Sequence, residues 1–226
     1  MARDYGKPGM NTSDIAVRHQ LVAPLVNGVW HRKSDGAVLL QLKFDAALHT
    51  EYGAPAEVWI RYTAGEGTSR TLAVEVSLIN KTSTRLPEAM FLSFDPPPRQ
   101  HRPGIKWSMQ KLDSWLDPSE TLDGGAKGLH AVSDTGLRCA IGDDVLTVGS
   151  KDAALLHWGE PTPFPNPTLR PVNTTEGASY VLFNNLYNTN YVLWWPFDAD
   201  PATLHDSVKF RFTLELAGLA PDLVVV

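Results

Sequence analysis

An all-β antiparallel sandwich is the fold this sequence predicts, and three observations predict it. Several stretches alternate strictly between apolar and polar residues, which is the period of a strand buried on one face and wet on the other. Helical periodicity is scarce. Gly, Pro and Asn turns separate the apolar stretches along the 226 residues, as in sandwiches and barrels rather than in βαβ units.

Taken in order, Asp14 can cap a short helix through Leu21 that Pro24 would end, and residues 1–34 read as an N-terminal extension. The first strand puts Val38, Leu40, Leu42 and Phe44 on one face and Gln41 and Lys43 on the other, and Asp45–Tyr52 forms a turn or two of helix. Val58, Ile60 and Tyr62 then oppose Glu57 and Arg61. Leu72, Val74, Val76 and Leu78 oppose Thr71, Ala73, Glu75 and Ser77. Shorter strand candidates are Met90–Phe94, Ile105–Met109, Leu129–Val132, Leu137–Ile141, Val145–Val148 and Tyr180–Phe183. Phe210, Phe212, Leu214 and Leu216 oppose Lys209, Arg211, Thr213 and Glu215, closing one sandwich domain over 35–217 and leaving 218–226 as a tail. The proline-rich segments Asp95–Pro103 and Glu160–Pro171 cannot donate to a central ladder and read as long surface loops.

A hydrophobic content of 43% is enough for a real core. Cys139 is the one cysteine, so neither an intrachain disulfide nor a multi-cysteine zinc site can form. The net charge of −5, with no segment concentrating Lys and Arg, argues against nucleic acid and anionic membrane as partners. No apolar run reaches the length of a membrane span and the N-terminus lacks a signal-peptide core, so the chain reads as soluble with its compartment open. Sequons at Asn11, Asn80 and Asn173 hint at a secretory parent.

Nucleophile-elbow, phosphate-loop, zinc-helix and dinucleotide motifs are all missing, so no cofactor is expected. The seven histidines are dispersed with no pair at ligand spacing, and no metal is expected either. A glycosidase needs two facing carboxylates, and the sequence offers Glu88, Asp113, Asp117, Asp123 and Asp152 without showing a pair. Asp117-Pro118 and Asp123-Gly124 are ordinary turn formers. His130, at a strand edge, is the histidine best placed as an acid or base, against the plainer reading of a hydrogen-bonded structural histidine.

Residues 180–197 hold seven aromatics and four asparagines. Aromatic rings stack on the apolar faces of a pyranose, and side-chain amides both donate to and accept from its hydroxyls. The competing reading is a buried strand followed by turn-forming asparagines.

Four segments carry a family resemblance: Arg85–Phe94, Trp107–Asp113, Gly128–Val132 and Phe183–Tyr191, with Tyr52–Pro55 as a turn in the same series. Together they resemble the C-terminal region of the proteins called domain of unknown function 5054, which are similar to glycoside hydrolase family 38, the retaining α-mannosidases. The resemblance implies a galactose-mutarotase-like β-supersandwich lying downstream of a catalytic α/β barrel. In that family the nucleophile is a zinc-binding aspartate of the barrel, which has no matching position here.

The expected function is therefore a non-catalytic, carbohydrate-binding accessory domain of a glycoside hydrolase. Its expected partners are a sugar and a catalytic domain or a further copy of itself. Trp107, Lys111, Asn185, Asn188, Asn190, Tyr191 and Trp194 are the expected sugar contacts, with Trp107, His130 and the segment's Asn and Trp residues lining one concave sheet face. The alternatives are a small enzyme of the aldose mutarotase type, with Glu88 and His130 as its proton-transfer pair, and a purely structural or oligomerisation domain.

Overall fold

The computed structural model describes residues 18–65, 70–82, 88–94, 104–120, 122, 125, 127–162, 172, 174, 177–184 and 205–218. Among them are thirteen strands and one short helix: β1 Leu25–His31, β2 Val38–Lys43, α1 Ala46–Tyr52, β3 Glu57–Ala64, β4 Thr71–Thr82, β5 Ala89–Phe94 and β6 Lys106–Lys111 come first. There follow β7 Ser114–Leu116, β8 Leu129–Ala131, β9 Leu137–Ile141, β10 Asp144–Ser150, β11 Leu155–Trp158, β12 Ala178–Asn184 and β13 His205–Ala217. They form two antiparallel sheets, one of nine strands in the order β1-β2-β3-β4-β13-β10-β9-β6-β7 and one of four in the order β5-β12-β11-β8. The chain is an all-β, two-sheet antiparallel fold.

The alternating strands supply the core. Val58 and Ile60 of β3, Val74, Val76 and Leu78 of β4, and Phe210 and Phe212 of β13 pack with Trp107, Met109, Leu137 and Val148 of the larger sheet. Against them lie Leu156, Trp158, Tyr180 and Leu182 of the smaller. Burying these side chains contributes about 1.5–3 kcal/mol each. The Tyr180 hydroxyl donates to the Val148 carbonyl at 2.8 Å, so the most buried aromatic also bonds one sheet to the other. Strand β12 is buried along its whole length on both faces.

Of the three bulges among the described strands, the third being at Leu182 of β12, two set which way the side chains considered below point. On β4, Ile79 and Asn80 stand opposite the single residue Ser207, and Asn80 takes a left-handed φ of 54°, which Asn tolerates better than most residues. The extra residue turns Lys81 inward, where it is 1% exposed. There its ammonium donates to Gly53 O at 2.7 Å, Thr82 O at 2.9 Å and Glu88 Oε1 at 2.8 Å, and it lies 5.0 Å from the Phe183 ring centre. Because Glu88 immediately precedes β5, this pair ties the larger sheet to the start of the smaller. Helix α1 is capped at both ends, with Asp45 accepting from Ala47 N–H and Gly53 in the left-handed region.

The second bulge is Asn27 in β1, between the pairs Val26–Leu42 and Gly28–Gln41. It brings both Val26 and Val29 to the inner face, beside Leu42 and Leu40, and leaves Gly28 and Trp30 on the outer one. The sheet therefore begins at Leu25, inside the segment expected to be an extension. Residues 18–21 are not helical, and Asp14 lies outside the described residues. Segment Asp95–Pro103 and most of Glu160–Pro171 also lie outside them, as do the 219–226 tail and the sequons at Asn11 and Asn173.

Nine strands against four leave a mismatch, since the larger sheet spans about 38 Å across its strands and the smaller about 14 Å. The β1 end overhangs. Val26 and Val29 face inward yet are 61% and 59% exposed.

Candidate functional site

Of the described members of the expected site, Trp107, Lys111 and His130 gather at one end of the space between the sheets, and Glu88 lies apart from them. Trp107, Met109 and Lys111 share the inner face of β6. Trp107 is 8% exposed and meets the Trp158 ring edge-to-face, with centres 5.9 Å apart. A ring so enclosed is a core aromatic, not an open stacking surface. Neither indole N–H finds an acceptor in the described structure.

His130 of β8 stands directly opposite the fully buried Leu156 and so also faces inward. The Lys127 carbonyl, 2.9 Å from Nε2, can only accept, so Nε2 carries the proton of the neutral ring. Burial holds the imidazole below its ordinary pKa, and the nearby Lys111 ammonium lowers it further. Burial lowers the Lys111 pKa as well.

Trp107 and His130 therefore point inward from opposed sheets and do not line one concave sheet face. Nor does Glu88 join His130 as a proton-transfer pair. Strands β5 and β8 are the two edges of the smaller sheet, three spacings or about 14 Å apart, and Glu88 is held by Lys81 at the far end of β5. Asn185, Asn188, Asn190, Tyr191 and Trp194 lie outside the described residues. Asp117 accepts from the Ser119 backbone and hydroxyl, and Asp152 accepts from Arg211, both as structural carboxylates. Among the described residues no cluster of three or more His, Cys, Asp and Glu could hold a metal, and no helix is long and apolar enough to cross a membrane.

A second group of residues, on the outer face of β1–β3, was not singled out by the sequence reading. Trp30 lies across Gly28: a Cβ built on that glycine would meet three atoms of the indole, Cζ2 at 2.7 Å and Cζ3 at 2.9 Å among them. Its centre is 5.3 Å from that of Trp59, at an interplanar angle of 31°, and Trp30 remains 46% exposed. A chain of hydrogen bonds fixes the rim. Asn27 Nδ2 donates to Gln41 Oε1 at 2.6 Å, and the Trp59 indole N–H donates to Glu57 Oε2 at 2.7 Å. That bond holds the Glu57 carboxylate below its ordinary pKa, with a further hydrogen bond from Gln41 and the Lys43 ammonium at 3.7 Å acting in the same direction. The signal for Trp59 was in the sequence, as an aromatic at a polar-phase position between Val58 and Ile60. Trp30 gave none, because the Asn27 bulge breaks the alternation of β1.

Comparison with protein-family models, with curated proteins and with solved structures gives no match to this chain.

Proposed function

We propose that this chain is a non-catalytic accessory β-sandwich of a glycoside-hydrolase-type protein, contacting sugar and docking on a catalytic domain. The observation that carries it is the overhang, where Val26 and Val29 face inward yet stay largely exposed, beyond the four described strands of the smaller sheet. Leu21 and Val22, which precede β1 in the chain, are exposed as well. Apolar surface of this kind marks an interaction site. The resemblance to the family-38 hydrolases, whose sandwich lies downstream of a catalytic barrel, names the partner. The mutarotase-type alternative has no described acid–base pair to support it.

Sedimentation velocity of the chain with and without the catalytic α/β barrel of a family-38 α-mannosidase tests the docking. The expected result is a one-to-one complex that Val26→Asp and Val29→Asp both weaken at least tenfold. An unchanged monomer in both runs would remove the docking role. A self-dimer sensitive to the same substitutions would favour the oligomerisation reading instead.

A further inference from the structure

We infer that the outer face of β1–β3 is a carbohydrate platform, on which the apolar face of a neutral pyranose stacks on Trp30 and its hydroxyls bond to Asn27 and Glu57, both held in place by Gln41. The inference rests on the carbohydrate reading above and gives it a place that none of the expected contacts occupies.

The geometry suits a flat, hydroxyl-rimmed ligand. One face of the Trp30 indole is pressed on the Gly28 backbone, so the opposite face is turned to solvent. Trp59, tilted by 31° against it, extends the aromatic surface inward over the sheet. A stacking site of two rings offers the C–H face of a pyranose a large contact with few rotors to freeze.

The polar groups beside the rings are already oriented. Gln41 is buried although it lies on the outer face, and its amide is held between Asn27 and Glu57. Asn27 is exposed and keeps its own carbonyl oxygen for a ligand hydroxyl. The Glu57 carboxylate accepts from Trp59 and still has lone pairs for a vicinal diol. An acidic sugar is disfavoured, because the cations around the rings already have carboxylate partners: Lys43 has Glu57, Arg32 has Asp35, and Arg61 has Asp35 and Glu75. The ligand class is therefore a neutral hexopyranoside presented on a glycan chain.

A purely structural role for the ring pair, shielding a glycine in an edge strand, makes a different prediction: Trp30→Ala would alter stability and leave every glycan response unchanged. The experiment is a glycan-array screen of the whole chain, followed by calorimetric titration of the strongest neutral hexopyranoside. Trp30→Ala, Trp30→Phe and Gln41→Leu are run in parallel, with circular dichroism confirming the fold of each. About a tenfold or greater loss in Trp30→Ala is expected, with Trp30→Phe within about threefold of the parent and Gln41→Leu several-fold weaker. Sugar should also protect the emission of Trp30, isolated as the difference between parent and Trp30→Phe, from acrylamide quenching. That readout and Gln41→Leu keep the test decisive if Trp30→Ala does not fold. A folded Trp30→Ala that binds like the parent overturns the platform and leaves the accessory reading standing. A parent chain that retains no glycan overturns both.

Discussion

Replacing Lys81 with methionine is the sharpest probe of how the two sheets are joined. Methionine keeps the apolar stem and removes the ammonium that serves Gly53 O, Thr82 O and Glu88 Oε1. Breaking a buried ion pair from one side costs about 3–5 kcal/mol, because the remaining charge stays in place without its partner. The Glu88 side chain is 20% exposed, so water recovers part of its solvation and the lower end, about 3 kcal/mol, applies. At about 2–4 °C per kcal/mol for a chain of this length, Tm should fall by about 6–12 °C, read by circular dichroism alongside urea titration. Adding Glu88→Gln should return about 1 kcal/mol or more, since the carboxylate charge that lost the Lys81 ammonium is then gone. A loss below about 1 kcal/mol in Lys81→Met would refute the reasoning, and so would strict additivity in the double variant.

Three further outcomes are expected of the same fold. Gly28→Ala should displace the Trp30 indole while lowering Tm by no more than about 2 °C, because the obstructing atoms belong to a half-exposed side chain; unchanged Trp30 quenching would contradict the described contact. Tyr180→Phe removes the bond to the Val148 carbonyl and should cost about 1–1.5 kcal/mol, read as a lower urea midpoint at unchanged m-value. His130 and His157 have folded pKa values lowered chiefly by burial, so the folded state binds protons less readily than the unfolded one. Their contribution is full above the ordinary value of 6.5 and is lost progressively as pH falls from there through the lowered folded values, and a urea midpoint that does not drop between pH 7.5 and 5.5 would contradict this. The lowered carboxylates Asp117, Asp152 and Glu57 add a separate loss that begins below 3.8 for the aspartates and 4.5 for Glu57 and is completed as pH falls through their lowered folded values.

The strands with one wet face were legible in the sequence. β2, β3, β4 and β13 fall on the four alternating stretches, and their inward residues are the predicted ones. β5, β6, β8, β9, β10 and β12 overlap the shorter candidates. Strand β11 was missed because Leu-Leu-His-Trp does not alternate: Leu156, His157 and Trp158 are buried on both faces, so neither face calls for a polar residue. The three-residue β7 is too short to carry a period, and the bulge at Asn27 hid β1.

The candidate site was less legible. Whether a strand residue such as Trp107 or His130 meets solvent or the opposite sheet depends on where that second sheet lies, and local alternation does not encode it. Glu88 illustrates the same limit, since the bulge at Asn80 that brings Lys81 to it acts from the other sheet.

Strand β13 sits at the centre of the nine-stranded sheet, joining β4 on one side to β10 on the other. During synthesis the β1–β4 meander emerges with the long open edge of β4 unpaired, and its partner follows only about 120 residues later. At about 5–20 residues per second that interval is about 6–24 s, long compared with the microseconds in which hairpins form. A ribosome-bound chain arrested before residue 205 should therefore hold a formed but unsealed half-sheet, exposed to pairing with other nascent chains. The two halves of the larger sheet become one cooperative unit only when this late central strand slides between them.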